Sequence, residues 1–300
     1  MSVSSSEPVV TSRVLERSAL ATVKDLVSLT KPRLSGLVLF TTAGGMWLSK
    51  APLTFWQWVV ALVGTAGTVG AANAFNCYLE RDSDRFMART AVRPLPQARM
   101  EPVVALVFAV ALAAVSLPVL FVGVNALTGA LGLLALASYV LVYTPMKSRT
   151  HWAMVVGAVP GALPPLMGWT AATGRIEEPG LVLFAILFVW QLPHFIAIAL
   201  FRKAEYRAAG LTSLPLEKGD DVARAHAVGY LALMLPVSAL PFAVGVAGWP
   251  YLAAALALGL WWGWVGVDGW RNKRDARWAR KLFATSLLYL TGLFAALAIG

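Results

Sequence analysis

Apolar stretches of roughly membrane-crossing length recur along this chain, and their spacing predicts a bundle of helices. A span needs about 20 apolar residues at a rise of about 1.5 Å each. Candidates cover 34–49, 53–79, 102–122, 125–143, 152–172, 181–201, 225–246, 250–269 and 282–299, nine in all. The third and fourth are parted only around Gly123 to Asn125, and the seventh and eighth only around Gly248 to Pro250, so both pairs read as tight hairpins. With 58% hydrophobic and 13% charged residues and a mean hydropathy of +0.69, the chain reads as an all-α polytopic membrane protein. Residues 1–28 read as a loose, weakly amphipathic tail with no signal-peptide pattern, which leaves 29–300 as a single transmembrane domain.

Polar positions refine this outline. Of the 25 Lys and Arg residues, 23 fall before span one or after spans two, four, six and eight; only Lys50 and Arg175 lie on the other side. The positive-inside rule then puts the N-terminus in the cytoplasm and the C-terminus outside. The net charge of +10 thus signals orientation rather than a nucleic-acid partner. The single cysteine, Cys77, excludes a disulfide framework or a cysteine metal cluster. No span carries a charge near its middle, which argues against an ion-coupled pump and for chemistry at one face. Gly64, Gly67 and Gly70 in span two predict a closely packed neighbour, and Pro160, Pro164 and Pro165 predict a kinked span five.

The stretch NCYLERDSDRFMARTAVRPLP, residues 76–96, leaves span two and enters a basic loop. If the helix continues, Asn76, Glu80 and Asp84 fall at i, i+4 and i+8 and share one face. Asp82 would point away from that face. Arg89 and Arg93 follow. Oxygen ligands beside guanidinium groups suit a divalent cation carrying a phosphorylated ligand, and Mg²⁺ commonly takes one or two carboxylates plus substrate phosphates. A solvated charged turn is the competing reading, but Asn73 and Asn76 on the apolar side argue against it, because amides at membrane depth usually have a task.

A second polar group closes span six in WQLPHFIAIALFRKAEYRAAG, where Gln191, His194, Arg202 and Glu205 keep loosely to one helical stripe. Glu205 and Tyr206 read either as a second cation site or as an ordinary interfacial pair. His194 taken alone reads as a packing residue. After span four, Tyr143, Lys147 and Arg149 reach the same face, where the two cations suit phosphate contact or interfacial anchoring equally. No zinc-ligand spacing, P-loop or dinucleotide fingerprint is present.

These motifs together resemble the UbiA superfamily of intramembrane prenyltransferases, whose first acidic motif reads N-x-x-x-D-x-x-x-D. LTKPR at 29–33, YTPMKSRT at 143–150, GALPPLMGW at 161–169, WQLPHF with EYRAAG at 190–210 and RWARKLFATSLLYL at 277–290 resemble its protoheme IX farnesyltransferase branch. The resemblance runs in order from residue 29 to the end. It implies a nine-helix bundle around a central cavity opening to the cytoplasm, and the short N-terminal tail without a transit-like segment favours a bacterial inner membrane over a mitochondrion. The implied substrates are farnesyl diphosphate and heme B, the implied cofactor Mg²⁺, and the implied product heme O, on the way to heme A. Carried over by position, Asn76, Glu80 and Asp84 become the catalytic metal-holding residues, with Asp82 as helper and Glu205 in a second metal site. Arg89, Arg93, Lys147, Arg149, Tyr143, Arg202 and Lys203 become substrate-binding residues, and His194 a heme contact. Membrane lipid surrounds such a protein, and heme A synthase or cytochrome oxidase assembly proteins are the implied protein partners. Glu80 and Glu205 stand where the wider pattern often has aspartate; each keeps the carboxylate and adds a methylene. A sister enzyme prenylating an aromatic or quinone precursor, or a non-catalytic heme or lipid carrier, are the alternatives.

Overall fold

The computed structural model describes residues 19–272 and 276–299, and among them every regular element is helical. In chain order the helices are α1 (Ala19–Leu29), α2 (Pro32–Leu48), α3 (Phe55–Leu79), α4 (Pro102–Gly123), α5 (Ala126–Met146) and α6 (Ala153–Thr173). They continue with α7 (Glu178–Phe201), short α8 (Lys203–Ala208), short α9 (Leu214–Glu217), α10 (Asp220–Ala243), α11 (Trp249–Arg271) and α12 (Ala276–Ile299). A helix stands at each of the nine predicted positions, and eight of them are long and apolar enough to cross a membrane. The other, α2, has 17 residues. At about 1.5 Å per residue it rises about 25 Å, short of a hydrocarbon core of about 30 Å.

Residues 19–29 are ordered as α1, so the predicted tail boundary at residue 28 falls inside a helix. Leu29 is buried against Ala74 and Cys77 of α3, while Leu20, Val23 and Val27 are exposed. Successive long helices pack side by side, and α12 returns to α2, where Phe294 meets Phe40 and lies over Gly44.

Local chemistry explains the starts and crossings. Thr54 caps α3 in a capping box with Gln57, satisfying donors that the first turn leaves free. A Cβ on Gly64 or Gly67 would come within 2.7 Å of Leu120 or 2.6 Å of Ser116, so these glycines admit α4, as their spacing predicted. Three prolines sit inside α6, yet it runs unbroken from Ala153 to Thr173 and is largely buried. Against α2 it packs backbone to backbone. A Cβ on Gly45 would run into the Pro165 carbonyl oxygen, and one on Gly168 into that of Thr42. The largest buried cluster joins α6, α7 and α10–α12, and a smaller one lies beneath the end of α3.

Candidate functional site

Basic loops from four parts of the chain meet at one end of the bundle. Their centre is the end of α3. The helix stops at Leu79, but its rise carries on: Glu80 N donates to the Asn76 carbonyl at 2.9 Å and Asp84 N to that of Glu80 at 2.8 Å. A short 3₁₀ turn, Ser83–Phe86, then closes the segment. Asn76 and Asp84 are both 1% exposed, and the Glu80 side chain is 13% exposed.

A cation from a different segment meets each of these three side chains. Lys31 Nζ donates to Asn76 Oδ1 at 2.6 Å. Lys147 Nζ lies 2.7 Å from Glu80 Oε1, and Arg93 Nη1 donates to Asp84 Oδ2 at 2.5 Å. Burial pushes the Glu80 carboxyl up, but the Lys147 ammonium outweighs it and holds the pKa below the usual range. Burial likewise lowers Lys147, while Tyr143 and Glu80 more than reverse that and raise it. Lys31 has less compensation, and burial brings it down to about 8.

Two backbone irregularities aim these cations. Lys31 sits between α1 and α2 with φ 50 and ψ 65, a left-handed conformation in a non-glycine residue preceding Pro32. Proline disfavours the ordinary helical basin for the residue before it, and the left-handed one costs about 1–3 kcal/mol. Asn73 of α3 stabilises the break: its Nδ2 donates to the Thr30 carbonyl at 3.1 Å and lies 3.4 Å from Ser35 Oγ. The second irregularity is a π-turn, Ser138–Tyr143, inside α5. Such turns gather at functional sites because the extra residue rotates everything after it. Here the rotation brings Thr144 Oγ1 within 3.4 Å of Asn76 Nδ2 and sets the Lys147 ammonium 4.5 Å above the Tyr143 ring. Thr212, from the segment after α8, donates through its N and Oγ1 to the Lys147 carbonyl at 2.8 and 3.0 Å.

The structure therefore brings Asn76, Glu80, Asp84, Arg93, Tyr143 and Lys147 together, and it adds Lys31, which the charge pattern had counted only as an orientation signal. Thr144 and Tyr139, the latter with its ring tilted 45° and 5.2 Å from that of Tyr143, join through the π-turn. Asp82 is not brought in. It is an exposed side chain whose nearest cations, Arg81 and Arg85, are each 3.9 Å away. Arg89 and Arg149 stand exposed at the rim.

The second predicted group is arranged differently. Glu205 accepts from Arg202 Nη1 through both oxygens, at 2.9 and 3.0 Å, and Lys203 is paired with Asp220 at 2.6 Å. Tyr206 is the residue that reaches back. It lies in the field of Tyr143, Arg89 and Lys147, and burial raises its pKa. His194 faces α12: Nδ1 is 2.7 Å from Ser286 Oγ, and the ring lies between Trp190 and Phe283 at 4.7 Å from each. Gln191 faces α6, where Nε2 donates to the Ala158 carbonyl at 3.2 Å.

A hard divalent cation fits the first group. Asp84 keeps a buried Oδ1 with no hydrogen-bond partner, Glu80 supplies a second carboxylate and Asn76 a neutral oxygen. Among the described residues no three His, Cys, Asp or Glu side chains converge on one point, so the protein offers a partial oxygen shell for a ligand to complete.

Comparison with known proteins identifies the family and the fold. The UbiA prenyltransferase family model matches residues 38–288. A protoheme IX farnesyltransferase of Myxococcus xanthus is 62% identical over 92% of this chain and 94% of its own. The one from Sorangium cellulosum is 52% identical over 88% of this chain and 100% of its own. Among solved structures, a digeranylgeranylglyceryl phosphate synthase superposes with a TM-score of 0.80 at 15% identity, covering 93% of this chain and 98% of its own. A UbiA homologue from Archaeoglobus fulgidus bound to GPP and Mg²⁺ gives 0.65 at 17% identity, covering 91% and 99%. The structural likenesses show a shared fold. The family match and the close relatives go further: this multi-pass membrane protein belongs to the UbiA prenyltransferase family, in its protoheme IX farnesyltransferase branch.

Proposed function

We propose that the chain transfers the farnesyl group of farnesyl diphosphate to a vinyl group of heme B, with addition of water, to give heme O for heme A synthesis. The observation that carries this reading is the convergence of Asn76, Glu80 and Asp84 with Lys31, Lys147 and Arg93 at one end of an apolar bundle. The names of the 62% and 52% identical relatives support the choice of acceptor and prenyl group. Asn76, Glu80 and Asp84 would hold Mg²⁺, as the buried free oxygen of Asp84 favours. When bound, the metal supplies Lewis-acid neutralisation of the leaving diphosphate.

The chain's own residues do the rest. Lys31, Lys147 and Arg93 bind phosphate oxygens and stabilise the charge that builds as the allylic carbon–oxygen bond breaks. Diphosphate leaves with the electron pair. The vinyl terminus attacks the allylic carbon, and the cation left beside the porphyrin ring takes a water oxygen and releases a proton. Apolar helix walls keep other water away until then. The 23 basic residues at one side favour a cytoplasmic mouth, and bacterial relatives favour the inner membrane.

A product assay tests the reading. Purified protein receives heme B and farnesyl diphosphate, with Mg²⁺ or with chelator, and mass spectrometry reads the heme. A Mg²⁺-dependent heme bearing farnesyl plus water is expected. Prenylation of an aromatic acceptor instead would move the protein to a sister reaction, and transfer to neither would favour a carrier.

A further inference from the structure

Between residues 271 and 281 the sequence sets six basic side chains against one carboxylate, Asp275. Elsewhere at this end of the bundle cations meet carboxylates: Lys147 meets Glu80, Arg93 Asp84, Arg202 Glu205 and Lys203 Asp220. Arg271, Arg280 and Lys281, where α11 gives way to α12, are exposed and have no carboxylate partner among the described residues. Two of them lie over aromatic rings instead. The Arg280 guanidinium is 5.9 Å from the centre of the Phe201 ring, which ends α7, and the Lys281 ammonium is 5.4 Å from that of Trp264.

The two helices are stitched side by side, with Trp262 Nε1 donating to the Leu282 carbonyl at 3.2 Å and Trp278 Nε1 to that of Val265 at 2.6 Å. On their outer face Trp264 is 62% exposed, and Arg271, about two turns on, shares its stripe. Leu260 carries that stripe deeper, and Leu288 does the same on α12 from Lys281; both are exposed. From Arg271 to Leu260 the face descends about 16 Å. Its order is cation, tryptophan, aliphatic side chain, and tryptophan settles where a membrane meets water. An anionic phospholipid has the matching order of phosphodiester, glycerol and acyl chain. A zwitterionic lipid brings a headgroup cation that the unpaired charges repel, and a second copy of this chain, at net charge +10, brings the same unpaired charges.

We propose that the α11–α12 face binds an anionic phospholipid, with Arg271 and Lys281 on the phosphodiester, Trp264 at the glycerol and Leu260 and Leu288 along an acyl chain. Basic clusters at the ends of membrane helices recognise anionic headgroups in this way. None of these residues belongs to the group at the end of α3.

Fluorescence quenching in vesicles tests it. The full chain is reconstituted in phosphatidylcholine containing increasing fractions of phosphatidylglycerol or phosphatidylcholine with brominated acyl chains, since bromine quenches an indole it touches. The share of Trp264 is the difference between the unaltered protein and Trp264→Phe. Its half-maximal quenching should need about fivefold less brominated phosphatidylglycerol than brominated phosphatidylcholine. Arg271→Gln combined with Lys281→Gln should abolish that preference, while Arg175→Gln at the other end of the bundle should leave it whole. If the double variant does not fold, about 1 M salt should shrink the preference in the unaltered protein, because screening then acts within about 3 Å. Equal quenching by the two lipids overturns the proposal, as does a preference that persists in the folded double variant. Quenching of Trp264 by neither lipid also overturns it and puts a second copy of the chain on this face.

Discussion

Two acidic segments at the same end of the bundle follow different physics. At the end of α3, Asp84 is 1% exposed and its cation comes nine residues along the loop, while Glu80 meets a lysine from another helix. After α7, the Glu205 side chain is 33% exposed and meets Arg202, three residues before it. A pair within one turn at the surface forms with little help from the fold and contributes little. A buried group held by cations from three segments exists only because the helices converge, and removing one member leaves a desolvated charge behind. Burial and distant partners therefore set the first segment apart, more than its acidic residues do, as the place where the fold itself organises charge.

Substitutions sharpen that contrast. The largest effect is expected from Asp84→Asn or Glu80→Gln, each lowering kcat/KM for farnesyl transfer by about 100-fold or more, about 2.7 kcal/mol, in protein that still elutes as a folded species. Glu205→Gln should cost only about three- to tenfold, about 1 kcal/mol. A loss equal to that of Asp84→Asn would show that the second segment carries a full metal site, and the contrast would fail. Next comes pH. Lys31, lowered to about 8 by burial, is charged below that value and loses its proton above it. Pyrophosphate binding without metal should therefore weaken by a few fold as pH rises from about 7 to about 9. In Lys31→Arg protein the weakening should vanish, because a guanidinium keeps its proton throughout. The smallest effect belongs to Asp82→Asn, within about twofold in the same transfer assay, since an exposed carboxylate with no short partner is worth little.

Part of this site was legible because its logic is local. The i, i+4, i+8 spacing of Asn76, Glu80 and Asp84 survives even though α3 ends at Leu79, since the backbone bonds to Asn76 and Glu80 preserve the rise. The same spacing correctly turned Asp82 outward. Lys31 was hidden among basic residues that set orientation, and only the LTKPR run hinted at more. Its place depends on a left-handed residue stabilised by Asn73, 43 residues from Thr30. His194 and Glu205 sat on a plausible stripe, yet His194 packs toward Ser286 and Glu205 toward its own neighbour. A stripe says which residues share a side and nothing about which helix stands opposite.

The sequence by itself determined that this is a helical membrane protein, where its long apolar helices lie and that its basic residues gather in alternate loops. Those properties follow from summed hydrophobicity and charge along the chain, and no partner has to be known. Only the tertiary structure decided that a π-turn in α5 delivers Lys147, that a strained break delivers Lys31, and that both meet the end of α3. Such meetings depend on backbone departures of a single residue, which are stabilised by contacts far away in sequence and leave no periodicity to read.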